Sequence, residues 1–356
     1  MPRRRLRFQA ESASSPSGTG ATSYQNNSIR WLRRTLHNAL PNCQSTSAMA
    51  IQWFPGHMNV TKKAIAERMK ECDVVIELLD ARLPGSSANP MLAQLTAARP
   101  QLKLLNKQDL ADPERTAQWL AHYNARSDTR AAAWEANQSA PAQRQALIDA
   151  CHALAPKRGG LAKPMRVLVC GVPNVGKSTL INALSAKRQA RTADEAGVTR
   201  SEQRITLADD FYLYDTPGML WPRIAVPHSG YRLAASGAVG RNAYNDEEVA
   251  LELLGYLKAH YAAPLRSRFK LEEDASAIAA MKDEELLGAV GLQRGALLGK
   301  GRVNLQKAAE IVMTEFRAGS LGRVTLETVQ EFAAWLTAAQ AADAQRAARR
   351  AERKKH

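Results

Sequence analysis

Between residues 60 and 223, short apolar runs alternate with stretches whose apolar residues recur every three or four positions. The runs at 74–79 (VVIELL), 102–105 (LKLL), 166–170 (RVLVC) and 211–214 (FYLY) predict buried strands. The intervening patterns predict helices over about 61–71, 88–98, 113–123, 140–154 and 177–187. Strands and helices in alternation predict an α/β fold, a mostly parallel sheet flanked by helices. Past Trp221 and Pro222 the pattern becomes helical throughout. There Asn245, followed by Asp246, Glu247 and Glu248, reads as an N-cap with an acidic first turn, and Val249, Leu253, Leu254 and Leu257 share one face of the helix it opens. A second helix is expected near Val303, with Leu305, Ala309, Val312 and Phe316 in register, and a third from Thr325 into the charged end of the chain. No internal repeat of solenoid period is present.

Composition adds charge to this picture. The 356 residues carry 49 Lys and Arg against 34 Asp and Glu, a net charge of +15, which suggests a polyanionic partner. Most of the excess lies at the ends: 1–48 hold seven Arg and one Glu, and 346–356 six basic residues and one Glu. Residues 9–28, rich in Ser, Gly, Thr and Asn, are expected to be disordered. The Arg-rich first 48 residues have the flavour of a transit peptide, with 29–40 amphipathic. Patterned sequence nevertheless begins at Met49, and the extension is expected to be dispensable. No apolar run is long enough to span a bilayer. Cys43, Cys72, Cys151 and Cys170 show neither C-x-x-C spacing nor His partners, which fits a reducing, cytoplasmic location and excludes a disulfide scaffold.

Three segments carry candidate chemistry. Gly171, Val172, Pro173, Asn174, Val175, Gly176, Lys177, Ser178 and Thr179 fit G-x-x-x-x-G-K-[ST], directly after a predicted strand and opening a predicted helix. In that setting backbone amides wrap phosphates, Lys177 reaches the β and γ phosphates, and Ser178 ligates Mg²⁺. Asp215, Thr216, Pro217 and Gly218 follow another strand and fit D-x-x-G, in which the Asp holds the Mg²⁺ shell and the Gly amide senses the γ-phosphate. Asn106, Lys107, Gln108 and Asp109 fit N-K-x-D; a carboxylate at Asp109 can accept from N1–H and the exocyclic amine of guanine and mismatches adenine, so GTP is the expected substrate. Their order is unusual. The guanine segment precedes the phosphate loop by 65 residues, which reads as circular permutation, with the D-x-x-G segment leading almost directly into the helical region.

The chain resembles the YlqF-type circularly permuted GTPases. The resemblance covers roughly 51–327 and rests on IQWFPGHM, LLDARLPGSS, NKQD, GVPNVGKSTLIN, GVTR, DTPGMLWP and the stretch RGALLGKGRVNLQKAAEIVMTEFRAGSLGRVTLE. It implies a permuted P-loop GTPase domain over 49–223, a smaller all-helical domain over 224–340 and a basic tail over 341–356. It implies further a monomeric GTPase acting in late assembly of the large (50S) ribosomal subunit, with the helical domain on ribosomal RNA. By the same resemblance Thr199 in GVTR completes the Mg²⁺ shell, although Ala196 stands where the family has proline. His57 is the candidate for positioning the attacking water, because Met219 occupies the position after DTPG where many GTPases carry Gln. Asn174 is a candidate ligand for K⁺. The nearest match to the fifth guanine segment is weak and consists of Glu135, Ala136 and Asn137. The loop Asp80 to Ser86 is expected to be structural.

The helical region is net acidic, with 13 basic and 15 acidic residues over 224–345, so its total charge does not favour RNA. Its second half, however, gathers Arg294, Lys300, Arg302, Lys307, Arg317 and Arg323 around glycine-rich turns, a patch able to approach phosphates. Two functions follow: an assembly GTPase stimulated by the ribosomal particle, or a nucleotide-gated RNA-binding switch with little hydrolysis and a non-ribosomal RNA.

Overall fold

The computed structural model describes residue 51 and residues 56–134, 141–185 and 203–353, except the side chains of His57, Gln203 and Lys300. All the described residues belong to one compact unit. A six-stranded sheet forms its centre: β1 (Val74–Asp80), β2 (Gln101–Asn106), β3 (Thr129–Trp134), β4 (Met165–Gly171), β5 (Gln203–Ala208) and β6 (Phe211–Asp215). In space the order is β3-β2-β1-β4-β6-β5, parallel throughout except that β5 pairs antiparallel with β6. The helices α1 (His57–Arg68), α2 (Pro90–Thr96), α3 (Pro113–Asn124), α4 (Pro141–Leu154) and α5 (Lys177–Leu184) alternate with these strands. β1 and β4 are buried from end to end save Arg166, as strands covered on both faces require.

The four predicted strands become β1, β2, β4 and β6. The pattern does not single out β3 and β5, and both are edge strands. β3 (TRAAAW) alternates exposed and buried positions and is mostly alanine, which carries little strand signal. β5 is held by its hairpin partner β6, a pairing of neighbouring segments that propensity alone does not reveal.

From Pro227 the chain is helical, with α6 (Pro227–Ser236), α7 (Asp246–His260), α8 (Ala262–Phe269), α9 (Ala275–Ala280), α10 (Asp283–Gln293), α11 (Leu305–Arg317) and α12 (Val329–Arg353). Asn245 caps α7, accepting from the amides of Glu247 at 2.8 Å and Glu248 at 3.2 Å. The expected apolar faces of α7 and α11 are inward: Val249, Leu253, Leu254, Leu257, Val312 and Phe316 are buried. The helical region has no separate core. One apolar cluster runs from Ile76 and Val169 in the sheet through Met219, Leu220 and Trp221 to Leu254 and Val312 in the helices. The segment after β6 is buried as it leaves the sheet, so the two parts are packed as a continuous solid.

Candidate functional site

Motif-bearing loops leave the carboxyl ends of β1, β2, β4 and β6, which lie side by side. β1 and β4 are neighbours, yet the chain runs from β1 to β2 on one side and from β4 to β6 on the other. Their junction is a topological switch point, where open α/β sheets bind ligands.

The phosphate loop leaves β4. Its turn places Asn174 at φ 55° and Gly176 at φ 104°, and the first turn of α5 follows at once. Lys177 is 6% exposed, and its ammonium donates to the carbonyls of Val172 at 2.9 Å and Gly171 at 3.3 Å. Burial draws its pKa down to about 8, against the raising influence of Asp215. Asp215, at the end of β6, is 1% exposed, and neither carboxylate oxygen has a hydrogen-bond partner. Burial raises its pKa to about 6 although the Lys177 ammonium opposes the shift. A Cβ on Gly218 would lie 2.6 Å from Cα of Pro173, so only glycine lets the DTPG segment lie against the phosphate loop. Met219 is fully buried; its amide donates to Gly171 at 3.1 Å and its carbonyl accepts from Asn89 at 2.8 Å. It is a packing residue.

The guanine segment leaves β2. Asn106 donates to the carbonyl of Val175 at 2.8 Å, tying this loop to the phosphate loop. Lys107, in the left-handed region at φ 60°, donates to the carbonyl of Asn174 at 3.0 Å and to Asp80 at 3.0 Å. Burial lowers its pKa, against the attraction of Asp80. Asp109 lies in a 3₁₀ turn (Gln108–Leu110) and is exposed. Pro173 and Val175 are buried, whereas Thr179 is exposed. Ser178 occupies the second position of α5. The structure thus brings Asn106, Lys107, Asp109, Gly171, Asn174, Gly176, Lys177, Ser178, Asp215 and Gly218 to one edge of the sheet. Thr199 and Glu135, Ala136 and Asn137 lie outside the described residues; His57 opens α1, its side chain likewise outside them.

Two groups stand out that no motif template supplies. Asp80 is 2% exposed and accepts from Nε and Nη2 of Arg82 at 3.0 and 2.8 Å besides the ammonium of Lys107. Burial alone would raise its pKa, but Arg82 and Lys107 hold it well below the usual carboxylate range. Arg82, 1% exposed, in turn donates to the carbonyl of Phe316 in α11 at 2.9 Å. Glu327, fully buried, accepts from the amides of Gly85 at 2.6 Å and Ser86 at 2.8 Å and from the Ser86 hydroxyl at 2.5 Å. The loop after β1 is therefore a joint between sheet and helices, in keeping with the structural role expected of it. The signal for Asp80 and Glu327 was present in DARLPGSS and GRVTLE, but Lys107 reaches Asp80 from 27 residues along the chain and the partners of Glu327 are some 240 residues away.

The basic residues of the helical region are engaged to different degrees. Arg317 donates to the carbonyls of Ala235 and Ala234 at 2.8 Å, capping the end of α6, and Arg323 donates to those of Ala111 at 2.9 Å and Gln108 at 3.1 Å. Arg294 pairs with Glu315 at 3.1 Å and Lys307 with Glu310 at 3.1 Å. Arg302 is exposed beside the exposed Leu297 and Leu298. The side chain of Lys300 lies outside the description.

Residues 166–284 match a family model described as 50S ribosome-binding GTPase. A ribosome biogenesis GTPase A from Bacillus cereus is 40% identical over 291 residues, covering 80% of this chain and 96% of its own. A GDP-bound YlqF structure aligns with a TM-score of 0.54 at 23% identity, covering 75% of this chain and 99% of that one. A GNP-bound YlqF from T. maritima aligns with a TM-score of 0.52 at 23% identity, covering 75% and 97%. At that identity the two structures bear on fold alone.

Proposed function

The chain belongs to the ribosome biogenesis GTPase A family, and from that premise we propose that it is a GTPase acting in late maturation of the large (50S) ribosomal subunit. On this reading it binds ribosomal RNA through its helical region and hydrolyses GTP fastest when bound to the particle. The observation that carries the reading is the convergence of NKQD, GVPNVGKST and DTPG on one sheet edge around Asp215, whose buried oxygens have no protein partner. A buried carboxylate without a donor, beside a phosphate loop, is suited to a cation. Ser178, Asp215 and Thr199 are the residues that would hold Mg²⁺, which offsets phosphate charge when bound.

This chain's own groups do the rest. Amides of the phosphate loop and the Lys177 ammonium bind the phosphates; Asp109 accepts from the guanine edge and the Lys107 stem packs on the base. The Gly218 amide, held against the phosphate loop, is placed to report the γ-phosphate. Asn174 is the candidate K⁺ ligand. His57 is the candidate for orienting the attacking water, since a neutral imidazole nitrogen can accept from it. Arg302 and Lys307 are the candidates most open to RNA, and Lys300 is a further candidate in the same segment; Arg294, Arg317 and Arg323 would contribute charge from their intramolecular positions. No helix among the described residues is long and apolar enough to cross a membrane, and we propose that the protein acts as a cytoplasmic monomer.

GTP turnover with and without purified large subunits tests the reading. Stimulation is expected, and His57→Ala should lower the stimulated rate while leaving GTP affinity nearly unchanged. Absence of stimulation, with no cosedimentation in a non-hydrolysable GTP analogue, would favour a low-turnover switch acting on another RNA.

A further inference from the structure

Resting on the reading of NKQD as the guanine segment, we infer that residues 319–325 of the helical region are a brace that sets the position of Asp109, with Arg323 as its positioning residue. The turn that carries Asp109 has little support of its own. It is a single 3₁₀ turn, Gln108–Leu110, entered through Lys107 at φ 60°, and Asp109 itself is exposed. Such a turn leaves carbonyls and amides without helical partners.

The helical region takes them up almost one by one. The guanidinium of Arg323 donates to the carbonyl of Gln108 at 3.1 Å, which opens the turn and also accepts from the Ala111 amide, and to that of Ala111 at 2.9 Å, just past it. The amide of Val324 donates to the carbonyl of Leu110 at 3.0 Å. The hydroxyl of Thr325 accepts from the amide of Asp112 at 3.1 Å and donates to the carbonyl of Ala81 at 3.2 Å. Gly319 presses on Leu110 from above: a Cβ there would lie 2.5 Å from Cδ2 of Leu110. Five contacts therefore fall on residues 108–112, and all come from one short segment more than 200 residues away.

A carboxylate reads a base edge only if it is held to within a fraction of an ångström of the two hydrogens it accepts. The brace supplies that precision from outside the sheet. Because binding and docking are linked, base recognition favours the docked segment to the same extent that the docked segment favours base recognition. A partner that pulls 319–325 away would weaken guanine binding without touching the phosphate loop.

GDP and inosine diphosphate separate this from a general loss of binding, since inosine lacks the exocyclic amine that Asp109 accepts from. Dissociation constants of both are to be measured on the full chain for the wild type, Arg323→Gln, Thr325→Val and Asp109→Asn. Arg323 is exposed, so its replacement leaves the core intact. Arg323→Gln is expected to weaken GDP about fivefold or more and inosine diphosphate by less, so that the ratio of the two contracts. Thr325→Val should contract it in the same sense, serving as the second variant should the first not fold. A ratio unchanged in both, while Asp109→Asn removes it, overturns the brace and leaves the guanine reading standing. A ratio that Asp109→Asn leaves intact overturns the guanine reading, and the brace with it.

Discussion

Asp80 and Asp215 close strands of the same sheet at the same end, and their exposures are 2% and 1%. Their surroundings differ completely. Asp80 accepts from three donors on two cationic side chains, and its pKa is held well below the ordinary range. Asp215 accepts from none through its side chain, and its pKa is raised to about 6. The same residue type at the same depth is a structural joint where its charge is matched and, in the proposed function, a cation ligand where it is not. A buried charge is tolerated only when something completes it. For Asp80 that something is Arg82 and Lys107; for Asp215, on the proposed reading, it is a cation from outside.

This contrast can be broken most forcefully at Asp80. Asp80→Asn leaves the buried Arg82 and the half-buried Lys107 without their counter-charge and is expected to cost about 3–5 kcal/mol of stability. Denaturant titration of the nucleotide-free protein checks it, and an unshifted midpoint would place Asp80 with Asp215. Asp215→Asn should do the reverse. The nucleotide-free protein should keep its midpoint or gain, while affinity for Mg²⁺ with GTP falls about a hundredfold. A pH series sharpens this test. A raised native pKa means that between about 4 and 6 the native state binds more protons than the unfolded chain, so stability falls as pH rises through that window. Asp215→Asn should flatten that slope. Asp80 has the opposite sign: its contribution is complete above the ordinary carboxylate range and is lost as the medium becomes strongly acidic.

Glu327 tests the middle ground. Burial pushes its carboxyl upward, Arg232 lies 3.8 Å away, and its remaining partners are the amides and hydroxyl of the loop after β1. Glu327→Gln retains one acceptor and should cost only about 1–2 kcal/mol, measured in the same titration. A loss as large as that of Asp80→Asn would mean that Arg232 depends on Glu327 far more than the distance implies.

Much of the fold was legible before any coordinate. The strands at β1, β2, β4 and β6 are apolar runs long enough to declare themselves, and their motifs sit where the chain leaves them. β3 and β5 were not legible, because an alanine-rich edge strand and a hairpin arm take their conformation from the neighbour they pair with. The separation of a helical domain at 224 reads clearly in the periodicity, yet the buried Met219, Leu220 and Trp221 merge its core with that of the sheet. Arg317 and Arg323 were legible as positive charges and no more. Their direction, onto carbonyls of α6 and of the guanine turn, depends on elements distant in sequence.

By itself the sequence determined what is local: the secondary-structure periods, the glycines and the lysine of the phosphate loop, the carboxylate of the N-K-x-D segment and the permuted order of the three segments. These are legible because each demands particular residue types at fixed short spacings. Only the tertiary structure decided which charges are spent and which are available. Asp80 and Asp215, or Arg302 and Arg323, are chemically alike as letters. They diverge because much of the field and hydrogen bonding around a side chain comes from neighbours that folding brings close, Lys107 onto Asp80 from 27 residues away and the carbonyls of Gln108 and Ala111 onto Arg323 from more than 200.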